Sequence, residues 1–258
     1  MKLIAIDLDR TLLNDDHVIS AENRAALKKA SEQDVVAVMT DRTLMTTRTL
    51  LGSDLKVPVI AANGAVVFDH NDRLIGEKPL PADETCEMIE YADFHHLYYE
   101  VTMAGKLLSP PDSRMLLANE LKQSGENLTP RTALAAWNDA ERRFSQAGWA
   151  PFSEVKTLIR HGKAAYKLLI YSYNRRALRG FKNRFTEMPN VRCTRAVGRI
   201  LEFVSDRLEK NNAIHRLVDY YGLKRENAIV INDDSDKLTK LLHSTGDVCR
   251  GVACHVTM

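Results

Sequence analysis

Two carboxylates, Asp7 and Asp9, follow the apolar residues Leu3, Ile4, Ala5 and Ile6 near the start of the chain. A continuous apolar run of that length reads as a strand buried on both faces. Side chains two apart on a strand point the same way, so both acids enter one small space while Leu8 turns from it. Carboxylates that close repel unless a shared proton or a cation relieves them, and a hard ion such as Mg²⁺ is the usual relief. The other reading of the pair is helix capping. Two more apolar runs end in polar groups: Val35 to Met39 leads into Thr40, Asp41 and Arg42, and the strand NAIVI within Glu226 to Ile231 leads into Asn232, Asp233, Asp234, Ser235 and Asp236. The carboxyl ends of parallel strands are where α/β sheets place their chemistry.

The elements that must position these residues follow from periodicity. Ser20 is a helix N-cap before the amphipathic AENRAALKKASEQ, and the strand at Val35 follows it. A helix over about 44–51 and a strand in PVIAANGAVVFD, broken by the Asn63-Gly64 turn signal, complete a strand–helix–strand–helix–strand order. After Pro79 the rhythm changes to helices beside paired strand-like runs, LYYEVTM, KLLSPP and YKLLIYSY, which predicts an inserted α+β module. The α/β rhythm resumes with RILEFVS, a helix from about Lys210 that stops at Gly222, and the strand before Asn232. A helix after Asp236 and a short strand near Gly251 end the chain. The domain reading is therefore residues 1–80 and 191–258 for a parallel-sheet core, with 81–190 inserted.

Composition narrows the function classes. The 258 residues, long enough for one large domain or two of ordinary size, are 45% hydrophobic, enough for a real core, and 36 basic against 34 acidic residues give a formal charge of +2. That balance supplies no field calling for nucleic acid or a membrane. The arginine-rich stretch from Arg175 to Arg184 reads as a solvated helix face. Cys86, Cys193, Cys249 and Cys254 form no CxxC pair, so neither a zinc site nor a disulfide framework is suggested. With no long apolar run and no leader-like amino terminus, the expected location is cytoplasmic.

The ordered motifs resemble those of haloacid dehalogenase-superfamily hydrolases of the Cof type. DLDRTLL is similar to the family's DxDxT signature, Thr40 to its second motif with Arg42 following, PVIAANGA to its third-strand segment, and LEFVSDRLEKNNAI to the stretch carrying its lysine, here Lys210. Asp233 then falls on the first acid of the fourth motif. The resemblance spans nearly the whole chain. It implies a Rossmann-like α/β core with an inserted α+β cap that closes over the carboxyl ends of the core strands. It also implies a Mg²⁺-dependent phosphatase acting on a small phosphorylated metabolite, sugar-phosphate-like, through an aspartyl-phosphate.

By that resemblance Asp7 is the nucleophile, Asp9 the acid and base, and Thr40 and Lys210 the groups that hold phosphoryl charge. Thr11, Arg42, Asn63 and Gly64 are substrate-side residues, and Asp7, Asp9 and Asp233 hold the metal. The chemistry suits these types: a carboxylate can attack phosphorus, and phosphoryl transfer asks mainly for positioning and charge neutralisation. Departures from the pattern point to an alternative, a catalytically weak relative that binds a phosphorylated ligand or a protein partner. Arg10, Asp41, Asn211 and Asn232 stand where the family usually has glycine, and Asp236 and Lys237 replace its amide and second acid. Asn and Asp tolerate a left-handed backbone best, so three of these four positions are expected to keep a glycine-like turn.

Overall fold

The computed structural model describes residues 1–14, 16–123 and 129–231. The described residues divide into two compact units, one of Met1–Glu77 together with the chain from Leu208 to Ile231, the other of Lys78–Arg207.

In the first unit β1 (Leu3–Asp7) runs into a π-helical turn (Leu8–Leu12), then α1 (Ala21–Ser31), β2 (Val35–Met39), α2 (Leu44–Leu51) and β3 (Val59–Ala61). A 3₁₀ turn (Ala62–Gly64) leads to β4 (Val66–Phe68) and β5 (Leu74–Glu77). The second unit holds α3 (Ala82–Phe94), β6 (Tyr98–Thr102), β7 (Leu107–Ser109), α4 (Ser113–Gln123), α5 (Pro130–Phe144), β8 (Trp149–Pro151), α6 (Val155–Arg160), β9 (Lys167–Tyr171), α7 (Arg175–Phe185), β10 (Val191–Val197) and β11 (Ile200–Ser205). The chain returns to the first unit with α8 (Lys210–Tyr220) and β12 (Ala228–Ile231).

The first sheet has the order β12-β1-β2-β3-β4-β5. β12, β1, β2 and β3 are parallel, as the apolar runs predict, and β4 and β5 add an antiparallel edge. Ser20 caps α1, its hydroxyl accepting from Asn23 N–H at 3.1 Å. One face of the sheet, with Leu3, Ala37, Ile60 and Val67, is closed by Ala213, Ile214, Leu217 and Val218 of α8.

The second sheet has the order β10-β11-β9-β6-β7-β8. Alternation splits β9 between two cores. Leu168 and Ile170 pack with Met88, Ile89, Phe181 and Phe185, whereas Leu169 and Tyr171 pack with Tyr98, Leu117, Ala140 and Phe144. This sheet corrects one boundary. RILEFVS, read from sequence as a return to the core, is β11, paired antiparallel with β9 and β10, so the second unit runs to Arg207 instead of ending near residue 190. An apolar strand of this kind fits either sheet, and only its pairing partners decide. The helix after Asp236 and the strand near Gly251 lie outside the described residues.

Among the described residues no helix is long and apolar enough to cross a membrane.

Candidate active site

Strand register builds the site. Asp7 sits beside Met39, Ile6 beside both Val38 and Ile231, and Met39 beside Ile60. Neighbouring parallel strands thus finish at one level, and residues that follow β1, β2 and β3 meet there. The Thr40 hydroxyl lies 3.0 Å from Asp9 Oδ2, and Asn63 N–H donates to Thr40 O at 3.0 Å. Arg42 N–H donates to Thr40 Oγ1 at 3.1 Å, which leaves the hydroxyl proton for Asp9. The Arg42 guanidinium then reaches Asp9 Oδ1 with Nε at 2.8 Å and Nη2 at 2.6 Å. Thr40 is buried, whereas Asp7, Asp9 and Arg42 are half-buried, so the cluster faces solvent on one side.

Two local devices hold these loops. Thr43 caps α2, accepting from Thr46 N–H at 3.2 Å, which fixes the turn that carries Arg42. Ala62 and Asn63 have φ of 49° and 57° and Gly64 has φ of 94°, a left-handed curl pinned by Ala62 N–H on Arg42 O at 3.0 Å. Asn and Gly adopt it readily, but at Ala62 it costs about 1–2 kcal/mol. The glycine-like backbone is therefore here and not at the two expected positions that are described: Asn211 lies inside α8 and Asp41 is not among the positive-φ residues. The turn signal read in Asn63-Gly64 is real, while the Asp9–Arg42 pair and the cap at Thr43 were missed. A Thr three residues before Thr46 was the available signal for the cap; nothing in the sequence pairs Arg42 with Asp9.

Thr11 falls in the π-helical turn, and its Oγ1 is buried with no hydrogen-bond partner among the described residues. Such turns are rare and often sit at functional sites. Lys210 is the first residue of α8. Asn232, Asp233, Asp236 and Lys237 lie outside the described residues, and so does the fourth motif they form. Among the described residues no three His, Cys, Asp or Glu converge as a metal cage. The side-chain oxygens that do meet, the Asp9 carboxylate and the Thr40 hydroxyl, are hard donors at the end where β1 delivers Asp7, and such oxygens fit Mg²⁺ better than a soft metal.

Several polar and aromatic residues of the inserted segment have structural partners. Tyr98 and Tyr99 are buried, Arg160 pairs with Glu90 at 2.8 Å, and Lys167 is buried 4.0 Å from Glu202. Burial, with Glu100 beside it, pushes the Tyr98 hydroxyl far up from its ordinary range. Gly162 (φ 81°) and Lys163 close the end of α6, Lys163 N–H donating to Leu158 O at 3.0 Å.

With this geometry in hand, comparison with known proteins is specific. The sequence profile of haloacid dehalogenase-like hydrolases matches residues 4–237. The 5-amino-6-(5-phospho-D-ribitylamino)uracil phosphatase YwtE of Bacillus subtilis is 32% identical over 240 residues, 93% of this chain and 84% of its own length. Phosphatase YwpJ of the same organism is 30% identical over 261 residues, 98% of this chain and 89% of its own. A haloacid dehalogenase-like hydrolase structure from B. subtilis superposes with a TM-score of 0.70 at 26% identity, covering 96% of this chain and 88% of that one. One from Bacteroides thetaiotaomicron, at 18% identity and a TM-score of 0.65 over 90% of this chain and 81% of its own, shares the fold. The chain belongs to the haloacid dehalogenase-like hydrolases, and within them to the Cof-type phosphatases.

Proposed function

We propose that this phosphatase hydrolyses a small phosphorylated metabolite, sugar-phosphate-like, through an aspartyl-phosphate formed on Asp7. The observation that carries the reading is the junction of Asp9, Thr40 and Arg42 at the level where β1 delivers Asp7. In the first step an Asp7 carboxylate oxygen bonds to phosphorus as the ester oxygen leaves, and Asp9 gives that oxygen a proton. In the second step Asp9 takes a proton from water, whose oxygen attacks the phosphoryl group and frees Asp7 and inorganic phosphate. With substrate bound, the single Thr40 hydroxyl proton turns from Asp9 Oδ2 to a phosphoryl oxygen. Lys210, the first residue of α8, is assigned the positive charge for the same group.

Asp7, the backbone carbonyl of Asp9 and Asp233 are the groups assigned to hold Mg²⁺. When bound, the ion neutralises phosphoryl charge and fixes its orientation. The unit Lys78–Arg207 is assigned the role of substrate-selecting cap. Three B. subtilis relatives carry the name 5-amino-6-(5-phospho-D-ribitylamino)uracil phosphatase, which makes that phosphorylated ribityl compound the first to assay.

The deciding experiment is phosphate release from an aryl phosphate and from that compound, with and without Mg²⁺, for wild type and Asp7→Asn. An amide keeps the carboxylate's shape but does not attack phosphorus, so folded Asp7→Asn is expected to be inactive. Turnover by purified Asp7→Asn protein would remove Asp7 from the nucleophile's role.

A further inference from the structure

Residues 173–199 carry eight cations, Arg175, Arg176, Arg179, Lys182, Arg184, Arg192, Arg195 and Arg199, against one acid, Glu187. Three of the eight have carboxylate partners outside the stretch: Arg184 with Glu87 at 3.0 Å, Arg195 with Glu202 at 3.7 Å and Arg199 with Asp139 at 3.7 Å. Arg175, Arg179 and Lys182 have none among the described residues. Spaced four and three residues apart, they share one face of α7, where like charges repel. The helix contains no acid to relieve them.

The sequence alone reads this as a solvated face, but the structure puts the three cations along a hollow. A groove of about 600 Å³ runs between α7 and the β10–β11 hairpin, lined by Arg175, Arg179 and Lys182 over Leu178, Ala196 and Leu201. A second hollow of about 870 Å³ opens on the other side of the hairpin tip, sharing Arg175, Val197, Gly198 and Ile200 with the first. Its wall carries the Tyr173 ring with the Arg199 guanidinium 5.1 Å from the ring centre, and two carboxylates that already have partners, Asp139 on Arg199 and Glu120 accepting from the Ser172 hydroxyl and Tyr173 N–H. Both volumes lie in the range of small-molecule sites. The N–H groups opening α7 are not the attraction, because Asn174 Oδ1 accepts from Arg176 and Ala177 at 3.0 Å and 3.1 Å. The side-chain charges are.

The place is also distinct within its unit. β9 starts next to the incoming chain, where Leu80 N–H donates to Ala165 O at 2.7 Å, and β11 ends next to the outgoing chain, where Asp206 N–H donates to Asn190 O at 3.0 Å. The hollows lie at the opposite ends of these strands, after Tyr171 and before Ile200.

We propose that this double hollow binds a small polyphosphate. The phosphate chain lies on Arg175, Arg179 and Lys182, and the Tyr173–Arg199 wall offers a flat surface for a nucleoside base. The chemistry that recognises the ligand is the run of phosphate groups, and two sources carry it, inorganic polyphosphate and a nucleoside triphosphate.

Calorimetric titration of the full chain in Mg²⁺-free buffer at low salt, with tripolyphosphate and with ATP as probes, tests this. Both are expected to bind and to weaken as salt is raised; tighter ATP binding assigns the nucleotide, and equal binding the inorganic chain. The paired substitution Arg179→Glu, Lys182→Glu is expected to weaken both probes at least roughly tenfold, because it turns two attractions into repulsions. Turnover of the aryl phosphate by that variant is expected to stay at the wild-type level, which separates this site from the phosphatase centre. Arg179→Gln, Lys182→Gln serves the same purpose if circular dichroism shows the charge reversal misfolded. The proposal is overturned if neither probe binds, if the folded variant binds them as wild type does, or if a single-stranded oligonucleotide binds at least about tenfold tighter than ATP, which would make the groove a nucleic-acid surface.

Discussion

Arg42 holds Asp9 from one side with two nitrogens on the same oxygen, Nε at 2.8 Å and Nη2 at 2.6 Å, while Thr40 donates to the other oxygen at 3.0 Å. Asp9 accepts from every one of these partners, so a residue assigned to donate a proton is poised as an acceptor. These bonds use both lone pairs of Oδ1 and one of Oδ2, so a proton that Asp9 donates sits on the remaining lone pair of Oδ2, and the two charge-assisted bonds set where that oxygen lies. This pairing supports a positioning role for Arg42 on Asp9, to be tested against the substrate contact its motif position implies. Arg42→Lys keeps the charge but loses the fork, and kcat is expected to fall by up to about a hundredfold with little change in KM. The reverse split, KM raised and kcat kept, would return Arg42 to the substrate.

Removing the metal gives a second test. Chelation by EDTA is expected to lower turnover on the order of a hundredfold or more, and added Mg²⁺ to restore it, since such an ion supplies several kcal/mol of charge stabilisation. Mg²⁺ titration of Asp7→Asn by calorimetry is expected to show weaker binding, because an amide replaces an anionic donor. Full activity in EDTA would refute the metal assignment.

How far these residues were legible in the sequence differs by scale. The parallel strands at Leu3, Val35 and Ala228 declare themselves as unbroken apolar runs, and their polar ends point to Asp7, Thr40 and the residues after Ile231. Short elements did not: β8 holds three residues and α6 six, too few for a period to emerge. The partner of β11 was not readable, since alternation along Ile200–Ser205 says which side chains are buried and nothing about which sheet buries them. Nor was the pairing of Arg42 with Asp9, a contact across 33 residues that rests on the register between β1 and β2.

Asp69 predicts a pH dependence of stability in the first unit. It is 1% exposed, and its carboxylate accepts from Asn71 N–H at 2.8 Å, Arg73 N–H at 2.9 Å and the Tyr220 hydroxyl at 3.1 Å, tying the β4–β5 turn to α8. Burial alone would push this acid up, but the Arg73 and Asn71 amides and Tyr220 together outweigh it and hold the carboxyl below its ordinary range. A lowered folded value means the stabilisation is complete above the unfolded value of about 3.9 and is lost as pH falls from there through the folded value. Asp69→Ala is expected to cost about 1–3 kcal/mol at neutral pH, and less at pH near 3. Urea unfolding followed by circular dichroism at both pH values measures this; a cost that grows on acidification would contradict the sign.

Glu100 and Arg143 make the corresponding test in the second unit. Glu100 lies on the face of β6 covered by α4 and α5, its side chain 4% exposed, and Arg143 Nη1 reaches both its oxygens at 3.0 Å while Tyr98 donates to Oε1 at 2.7 Å. The guanidinium also lies 4.8 Å from the centre of the Tyr171 ring. Burial works against Arg143's charge, but Glu100 outweighs it and holds the proton more firmly than usual. A buried pair of this kind is costly to break and cheap to replace, because each ion's desolvation is offset only while its partner is present. Arg143→Met alone leaves Glu100 charged and buried and is expected to cost about 3–5 kcal/mol, whereas adding Glu100→Gln recovers most of that loss. Both tryptophans of the chain, Trp137 and Trp149, belong to this unit, so their fluorescence during urea unfolding follows it without interference from the first unit. If Arg143→Met and the double variant lose stability equally, the side chain matters as packing over Tyr171 and not as a counter-charge.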